Sequence, residues 1–186
     1  FAVHIKGQEV PMHEPRGKKA LGISYATSPR GATHMETAHD TQYVKDDSTP
    51  DIGIRLGVEQ TSWNHKPEYC KTYEDMVSFA NSMITCAFTS SMRIGPGGFY
   101  AFAPLRQLLG AVTGMDIDSK EMLAIGERNY VIRRLMTAKD GYTTDDDDLP
   151  KRLKQPLKKG LCDGEEIPDQ KLRQMLLQLT RLSGDE

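Results

Sequence analysis

The feature that most constrains the fold is a set of apolar stripes at helical spacing, with no convincing alternation of polar and apolar residues. One stripe lies between Tyr73 and Phe88 and repeats at the interval of a helical face. It consists of Met76, Val77, Ala80, Met83, Ile84 and Ala87. This spacing places the apolar side chains on one side of an amphipathic helix. The chain is therefore predicted to be mainly α, a multi-helical domain with long irregular loops.

Other helices are predicted where apolar stripes meet start and stop signals such as Pro, Asp and Gly. The predicted helices cover residues 17–26, 31–38, 73–88, 104–114, 119–138 and 168–184. The helix behind the Asp118 cap is predicted to bury Met122, Ile125, Tyr130, Val131 and Leu135. The last helix is predicted to bury Leu172, Met175, Leu176, Leu179 and Leu182. Residues 40–66 lack periodicity and are predicted to be an irregular loop, long enough to suggest a functional role.

Composition excludes several classes of protein. A net charge of -2 over 186 residues argues against a nucleic-acid binder. No run of about 20 apolar residues could span a bilayer, and the first residues have neither the basic start nor the apolar core of a signal peptide. Three cysteines that lie far apart favour a reducing compartment, so a cytoplasmic protein is expected.

His34 follows a turn-forming cluster that contains Arg30 and Gly31, close to a predicted helix start. A histidine there could act as a general acid or base, because its usual pKa of about 6.5 suits proton transfer near neutral pH. Arg30 and helix N-terminal amides would suit an anionic phosphate or pterin group. On spacing alone, however, an ordinary structural histidine and a solvated arginine are the more common case.

Cys86 lies near the end of the helix predicted after Tyr73. No Cys-x-x-Cys pair exists, so this chain can donate at most one sulfur to a metal site completed elsewhere. Most such cysteines are small buried hydrophobes, and spacing alone favours that interpretation. Cys70 and Cys162 lie in polar surroundings and receive no role. The remaining histidines have no metal-ligand spacing among themselves.

Several stretches, taken in order, resemble the C-terminal part of the aldehyde ferredoxin oxidoreductase family. IKGQEVPMHEPR (residues 5–16) resembles that family's KGxExPxxDPR segment, and ALGISYATSPRGATH (20–34) is similar to its LGYATSxRGxxH segment. NSMITC (81–86) occupies the place of its DxxGLC motif. AVTGMD (111–116), GER (126–128) and DLPKR (148–152) follow in the family's order. The resemblance covers nearly the whole chain.

The resemblance implies that residues 1–186 are the C-terminal helical domain of a larger enzyme whose N-terminal domains lie outside this chain. It implies tungsten (or molybdenum) held by two molybdopterin dithiolenes beside a [4Fe–4S] cluster. Aldehydes would be oxidised to carboxylic acids, with electrons passing to ferredoxin or another electron-carrier subunit. His34 matches the active-site histidine, and Cys86 matches the one cluster ligand from this domain. The residues around Cys86 would contact a pterin, through Asn81 and the backbone of Thr85 and Ala87.

The sequence departs from the family's motif before Cys86. Asn81 stands in place of aspartate, Ile84 in place of glycine and Thr85 in place of leucine. Asparagine accepts hydrogen bonds without a charge, and losing glycine restricts the backbone. Two alternatives therefore stay open. One is the tungsten subunit of a benzoyl-CoA-reductase-like enzyme, and the other is a non-catalytic helical module used for assembly, including assembly into an oligomer.

Overall fold

The computed structural model describes residues 2–36, 39–42, 44, 58–86 and 102–183, and most of its regular structure is helical. The α-helices are α1 (Lys19–Thr27), α2 (Lys66–Ser82), α3 (Phe102–Thr113), α4 (Ser119–Lys139), α5 (Lys151–Lys154) and α6 (Asp169–Ser183). Short 3₁₀ helices occupy Pro15–Gly17, Asp40–Gln42 and Thr144–Asp146. The prediction of a mainly α fold is confirmed. Within the described ranges, no helix has both the length and the apolar character needed to cross a bilayer.

A small hairpin precedes the helices. Strand β1 (His4–Ile5) pairs antiparallel with β2 (Gln8–Glu9), and the two residues between them, Lys6 and Gly7, both have positive φ angles, 47° and 79°. A two-residue loop with positive φ at both positions suits the twist of a hairpin. The sequence contains no strand signal here because strands of two residues are too short for alternation to be visible.

Helix α1 is the centre of the domain. All nine of its residues are buried, including Lys19 and Ser24, so this helix has no solvent face. It packs against α2 and α6, and α2 in turn packs along the length of α4. A helix covered on all sides needs neighbours that satisfy the polar groups at its ends. The chain segments that do so also form the candidate site.

Helix α4 begins as predicted, because the Asp118 carboxylate accepts a hydrogen bond from the Glu121 amide at 2.8 Å. Its buried face is only partly as predicted. Met122 is buried, whereas Leu135 is 64% exposed, so the prediction for Leu135 is wrong. Leu182 at the end of α6 is also largely exposed. Neither side chain is covered by another segment of the chain that the structure describes.

Helix α2 begins seven residues earlier than the predicted start at Tyr73 and contains Cys70. Pro67 stands in its first turn, where a missing N–H costs nothing, and Glu68 follows it. Cys70 is fully buried and donates to the Ala20 carbonyl at 3.3 Å, so the prediction that it lies in a polar loop is wrong. The stripe on α2 is confirmed at Met76, Val77 and Ala80, which are buried.

Gly126 allows α2 and α4 to approach closely. A Cβ atom at this position would overlap the main-chain carbonyl of Asp75 in α2. Because that obstacle is backbone, the two helices would have to move apart. We expect Gly126→Ala to lower the free energy of unfolding by about 1–3 kcal/mol, the usual cost of overpacking. Chemical denaturation measures it.

The matched control for that substitution is Gly110→Ala in α3. There the added Cβ meets only the Met115 carbonyl oxygen, at 3.2 Å. Better helix propensity opposes this contact, so a change of less than about 1 kcal/mol is expected. Equal losses in the two variants would contradict the interpretation of Gly126 as a point of close helix approach.

Glu74 is a buried carboxyl group in α2, with its Oε1 3.4 Å from the Thr27 hydroxyl oxygen. Burial raises the pKa of Glu74 to about 8, and the neighbouring Asp75 carboxylate adds to the rise. The folded protein thus binds this proton more tightly than the unfolded chain does. The resulting stabilisation is complete below the ordinary carboxyl pKa of about 4.5 and is lost as the pH rises to about 8.

Replacing Glu74 by glutamine should remove this pH dependence, because the amide stays neutral at every pH. At about pH 9 the variant is expected to exceed the original protein in unfolding free energy by roughly 2–4 kcal/mol. Urea denaturation between pH 5 and 9 measures the difference. Glu68→Gln, on the exposed side of the same helix, is the control. Parallel stability curves for the original protein and Glu74→Gln would contradict the prediction.

Candidate functional site

His34 lies in a tight turn that follows α1. Residues 29–36 form turns and bends, so the helix predicted over 31–38 is wrong for its described part. Gly31 has a φ of 87°, and a Cβ there would overlap the Ile5 carbonyl of the hairpin. Only glycine meets both conditions without strain. The turn therefore passes tightly beside β1 and leads directly to His34.

Two cations hold the end of α1 from which this turn departs. Lys6 donates to the carbonyl oxygens of Ala26 and Ser28, at 2.6 and 3.2 Å. Arg134 of α4 donates to the Thr27 carbonyl at 2.9 Å. These bonds satisfy carbonyl groups that a buried helix end would otherwise leave unpaired.

The Asp147 carboxylate joins the two cations. It accepts from Lys6 at 2.6 Å and from both terminal nitrogens of Arg134, at 2.8 and 2.6 Å. The hairpin, α4 and the loop of four aspartates at residues 145–148, here called the acidic loop, therefore meet at the base of the His34 turn.

Three histidines that are remote in sequence gather beside this turn. The ring centroids of His13 and His34 are 4.7 Å apart, those of His13 and His39 are 4.9 Å apart, and those of His34 and His39 are 6.1 Å apart. We call these three side chains the imidazole cluster. They are not arranged to hold a metal ion, and no such group of three or more ligands occurs in the described residues.

Burial and nearby positive charge lower the pKa of two rings in the cluster, those of His39 and His13. Burial lowers the pKa of His39, and nearby positive groups, Lys18 and the other two rings, add to the effect. The pKa of His13 is lowered by burial, by Lys18 and by His34. His39 Nε2 lies 2.8 Å from the His34 carbonyl oxygen. Since a carbonyl oxygen only accepts, this nitrogen carries the hydrogen, and His39 restrains the His34 backbone.

A buried ion pair anchors the chain just after the cluster. Asp40 and Lys66 are fully inaccessible to solvent, and their charged atoms lie 2.5 Å apart. The same carboxylate accepts hydrogen bonds from the Ala20 and Leu21 amides, at 3.0 and 3.1 Å, at the start of α1. These two amides, together with the lysine, satisfy a charge that would be very costly to bury alone. His39 is thereby held beside α1.

Arg30 lies on the same turn as His34, but its side chain remains 57% exposed. Its guanidinium is 3.6 Å from Glu36, which also pairs with Arg133 of α4 at 2.5 Å. The loose contact leaves most of the Arg30 donors pointing to solvent, where an anionic group from outside the chain could reach them. The sequence predicted that amides at the start of a helix near residue 31 would bind this anionic group together with Arg30. No helix begins there, so that part of the prediction is wrong.

Cys86 lies on the exposed segment that follows α2. The helix ends with Ile84 in the left-handed conformation, at a φ of 56°, and Thr85 then donates its hydroxyl to the Ala80 carbonyl at 3.0 Å. Asn81 is exposed and its carbonyl oxygen accepts from the Ile84 amide at 3.0 Å. Ala87, the last predicted pterin contact, lies outside the described residues.

Ile84 stands where the motif that this segment resembles has glycine, and its left-handed backbone is one that favours glycine. A left-handed residue that ends a helix is usually glycine, because a Cβ is unfavourable there. A β-branched residue in this conformation is unusual, and the Ile84 side chain is 95% exposed. The prediction that Ile84 continues the buried stripe of α2 is therefore wrong.

Helix α4 brings the His34 turn and the Cys86 segment to one side of the domain. Asn129 donates to the Ser82 hydroxyl at 2.5 Å, at the end of α2, and Arg133 pairs with Glu36. Residues four apart share a helix face and are separated along the axis by ~6 Å, about one turn. The two segments are therefore anchored next to each other. Cys70 and Cys162 lie elsewhere and take no part.

A separate cavity of about 320 Å³ lies between α2, α4, α6 and the acidic loop. Its walls include the buried Glu74 carboxyl and Tyr130 on one side and leucines of α6, including Leu176 and Leu179, on the other. Arg134 and Asp147, which also line it, are already paired with each other. No candidate residue from the sequence lies in this cavity.

The sequence predicted His34, Arg30 and Cys86, and the structure leaves Arg30 and Cys86 exposed and His34 half-buried. It did not predict that His13 and His39 would join His34. Linear spacing carries no signal for that grouping, because folding of the entry segment against α1 brings the rings together. The anchoring contacts of Asn129 and Arg133 could not be predicted from the sequence either, because they depend on how α4 packs against the rest of the domain.

Comparison with known proteins agrees with these observations. Residues 1–184 match the family model described as aldehyde ferredoxin oxidoreductase, domains 2 and 3. The chain is similar to proteins named tungsten-containing aldehyde ferredoxin oxidoreductase from three archaea. Over 186 residues the identity is 28% for Pyrococcus abyssi, 29% for Pyrococcus furiosus and 27% for Thermococcus kodakarensis. In each case the match covers 99% of this chain but 28% of the relative's length.

Proposed function

The chain belongs to the aldehyde ferredoxin oxidoreductase family, and we propose that it supplies a proton-transfer histidine and one cluster cysteine to a tungstopterin enzyme. In this proposal the rest of the enzyme comes from protein outside the 186 residues, since the chain spans little more than a quarter of its relatives. The substrate class is aldehydes, the product a carboxylic acid, and the electron acceptor ferredoxin or another electron carrier.

The observation that carries this proposal is that α4 contacts Glu36, two residues after His34, and Ser82, four residues before Cys86. Asn129 holds the end of α2 and Arg133 holds the His34 turn, one helical turn apart. A proton carrier and a metal-binding thiol that act in one reaction must lie on the same side of the domain. This arrangement supports the assignment of both residues independently of the motif match.

The residues present fit the implied cofactors. Cys86 is exposed beyond the end of a helix, where ligands from another domain can complete a cluster, and the described residues hold no competing metal site. Arg30 offers an exposed guanidinium to an anionic pterin phosphate. When bound, a tungstopterin centre with a [4Fe–4S] cluster supplies two-electron oxidation at the substrate and one-electron transfer onward.

In this proposal His34 accepts a proton that the reaction releases. Oxidation of an aldehyde uses one water and yields a carboxylic acid, two electrons and two protons. A neutral imidazole can accept one of these protons while the cofactor takes the electrons. The half-buried position of His34, with its main-chain carbonyl held by His39, fixes its ring near the exposed edge of the site.

The test is metal analysis of the full-length protein purified from its native host. The proposal predicts stoichiometric tungsten together with iron. Tungsten and iron both absent would favour the competing function, an assembly module that kept the fold. Ile84, in a left-handed conformation where the motif has glycine, is the observation that favours this alternative.

A benzoyl-CoA-reductase-like activity would also give tungsten and iron. It is separated from aldehyde oxidation by assay of the same preparation with aldehydes and with an aromatic thioester. Turnover of the thioester alone would replace the proposed substrate class while leaving the roles of His34 and Cys86 in place.

A further inference from the structure

The imidazole cluster contains two more histidines than the proposed chemistry needs. His13 is the nearest neighbour of both other rings, at 4.7 Å from His34 and 4.9 Å from His39, whereas His34 and His39 are 6.1 Å apart. His13 is therefore the central member. Its ring is half-buried, so one part of it faces His34 and another part reaches solvent.

We propose that His13 relays protons between His34 and solvent, and that His39 is a positioning residue that holds the His34 main chain. This inference rests on the proposed function. Neither residue would contact the substrate, and both act through His34. Ring centroids less than 5 Å apart bring the two rings close enough for a proton to pass between them through one bridging water.

The need for a relay follows from the stoichiometry of the reaction. Each aldehyde oxidised releases two protons, while His34 can accept only one before it must be discharged. In the relay, protonated His34 gives its proton to neutral His13, and His13 passes it to water. No bond other than N–H bonds is broken, and His34 returns to the neutral form ready for the second proton.

The charges around the cluster suit this role. The positive groups that oppose protonation of His13 are Lys18 and His34, and for His39 they are Lys18, His13 and His34. A proton on one ring therefore disfavours a proton on the others. His39 is further restricted, because its Nε2–H is committed to the His34 carbonyl. Only His13 combines contact with His34 and access to solvent.

The first test measures coupling between the rings without any assay of activity. Slow deuterium exchange at the imidazole carbon, followed by mass spectrometry of the full-length protein, reports the pKa of each histidine. We expect His34→Gln to raise the pKa values of His13 and His39, since a positive neighbour is lost. His4→Gln, an exposed histidine outside the cluster, is the control. Unchanged values for both rings in His34→Gln would overturn the inference.

Lys18→Met is a second variant for the same measurement, in case His34→Gln folds poorly. It removes the other positive group that faces both rings, so the pKa values of His13 and His39 are again expected to rise. If neither value changes, the rings do not share the electrostatic environment that the relay requires, and the inference is overturned.

The second test uses turnover of the holoenzyme. His13→Gln is expected to lower kcat about tenfold or more, and added imidazole is expected to restore much of it, which a purely structural defect would not allow. A loss that imidazole does not restore, or no loss, would overturn the relay. If His34→Gln lowers turnover while His13→Gln does not, the relay alone fails. If His34→Gln has no effect on turnover, the proton-transfer role that the proposed function gives to His34 fails, and the relay fails with it.

Discussion

Replacing His34 by alanine in the full-length enzyme is expected to lower kcat for aldehyde oxidation about 10²–10⁴-fold. This is the usual contribution of a positioned general acid or base, which is the role we propose for His34. Tungsten and iron contents should stay at their original values, because the turn is held by contacts that do not involve the imidazole ring. Those contacts are made by Gly31, Lys6 and Arg134.

The control for His34→Ala is His65→Ala, which removes an exposed histidine before α2. It should leave kcat unchanged. Steady-state kinetics on metal-replete preparations of both variants make the comparison. Full turnover in His34→Ala would remove the proton-transfer assignment, whereas a parallel loss of tungsten and turnover would point to a structural role in holding the cofactor.

Replacing Cys86 by alanine is expected to lose or degrade the iron–sulfur cluster and with it electron transfer. In the proposed function one cluster iron would lose its thiolate ligand, and an alanine side chain cannot replace it. Iron analysis and electron paramagnetic resonance of the reduced protein measure the effect. Turnover with an artificial one-electron acceptor should fall along with the cluster signal.

Cys162→Ala is the matched control for that experiment. Cys162 is half-buried and lies against Gly17, away from the Cys86 segment. Its loss should leave iron content and the resonance signal unchanged. An intact cluster in Cys86→Ala would show that Cys86 is no cluster ligand and would leave the fold as the main support for the redox assignment.

Most of the motifs that relate this sequence to its family turn out to be parts of the scaffold. Lys6 and Gly7 form the hairpin turn, and Lys6 also caps the end of α1. Gly126 permits the close approach of α2 and α4, and Glu127 beside it pairs with Lys71 of α2 at 2.9 Å. Such residues are recognisable in sequence because packing tolerates little change at them. We interpret them as structural residues that stabilise the fold and position the segments carrying His34 and Cys86, and we assign them no part in the chemistry.

Errors in the predicted helices arose where tertiary contacts outweighed local pattern. The Gly31–Ala38 stretch has helical composition, yet Gly31 is drawn into a left-handed turn against the hairpin. Cys70 stands among polar neighbours in sequence, yet α2 extends back to Lys66 because Asp40 pairs with that lysine in the core. In both cases the deciding partner lies more than twenty residues away.

The sequence alone was sufficient for the helical class and for the α4 and α6 segments. These depend on periodicity, caps and local motifs, which a single stretch of chain contains. The choice of His34 and Cys86 came from the resemblance of motifs and stays a prediction. The assembly of His13, His34 and His39, and the alignment of the His34 turn with the Cys86 segment on α4, were decided by the tertiary structure. The physical reason is that both depend on buried contacts between distant segments, such as the ion pair of Asp40 with Lys66. Such contacts become strong only when folding brings the segments together and excludes water from between them.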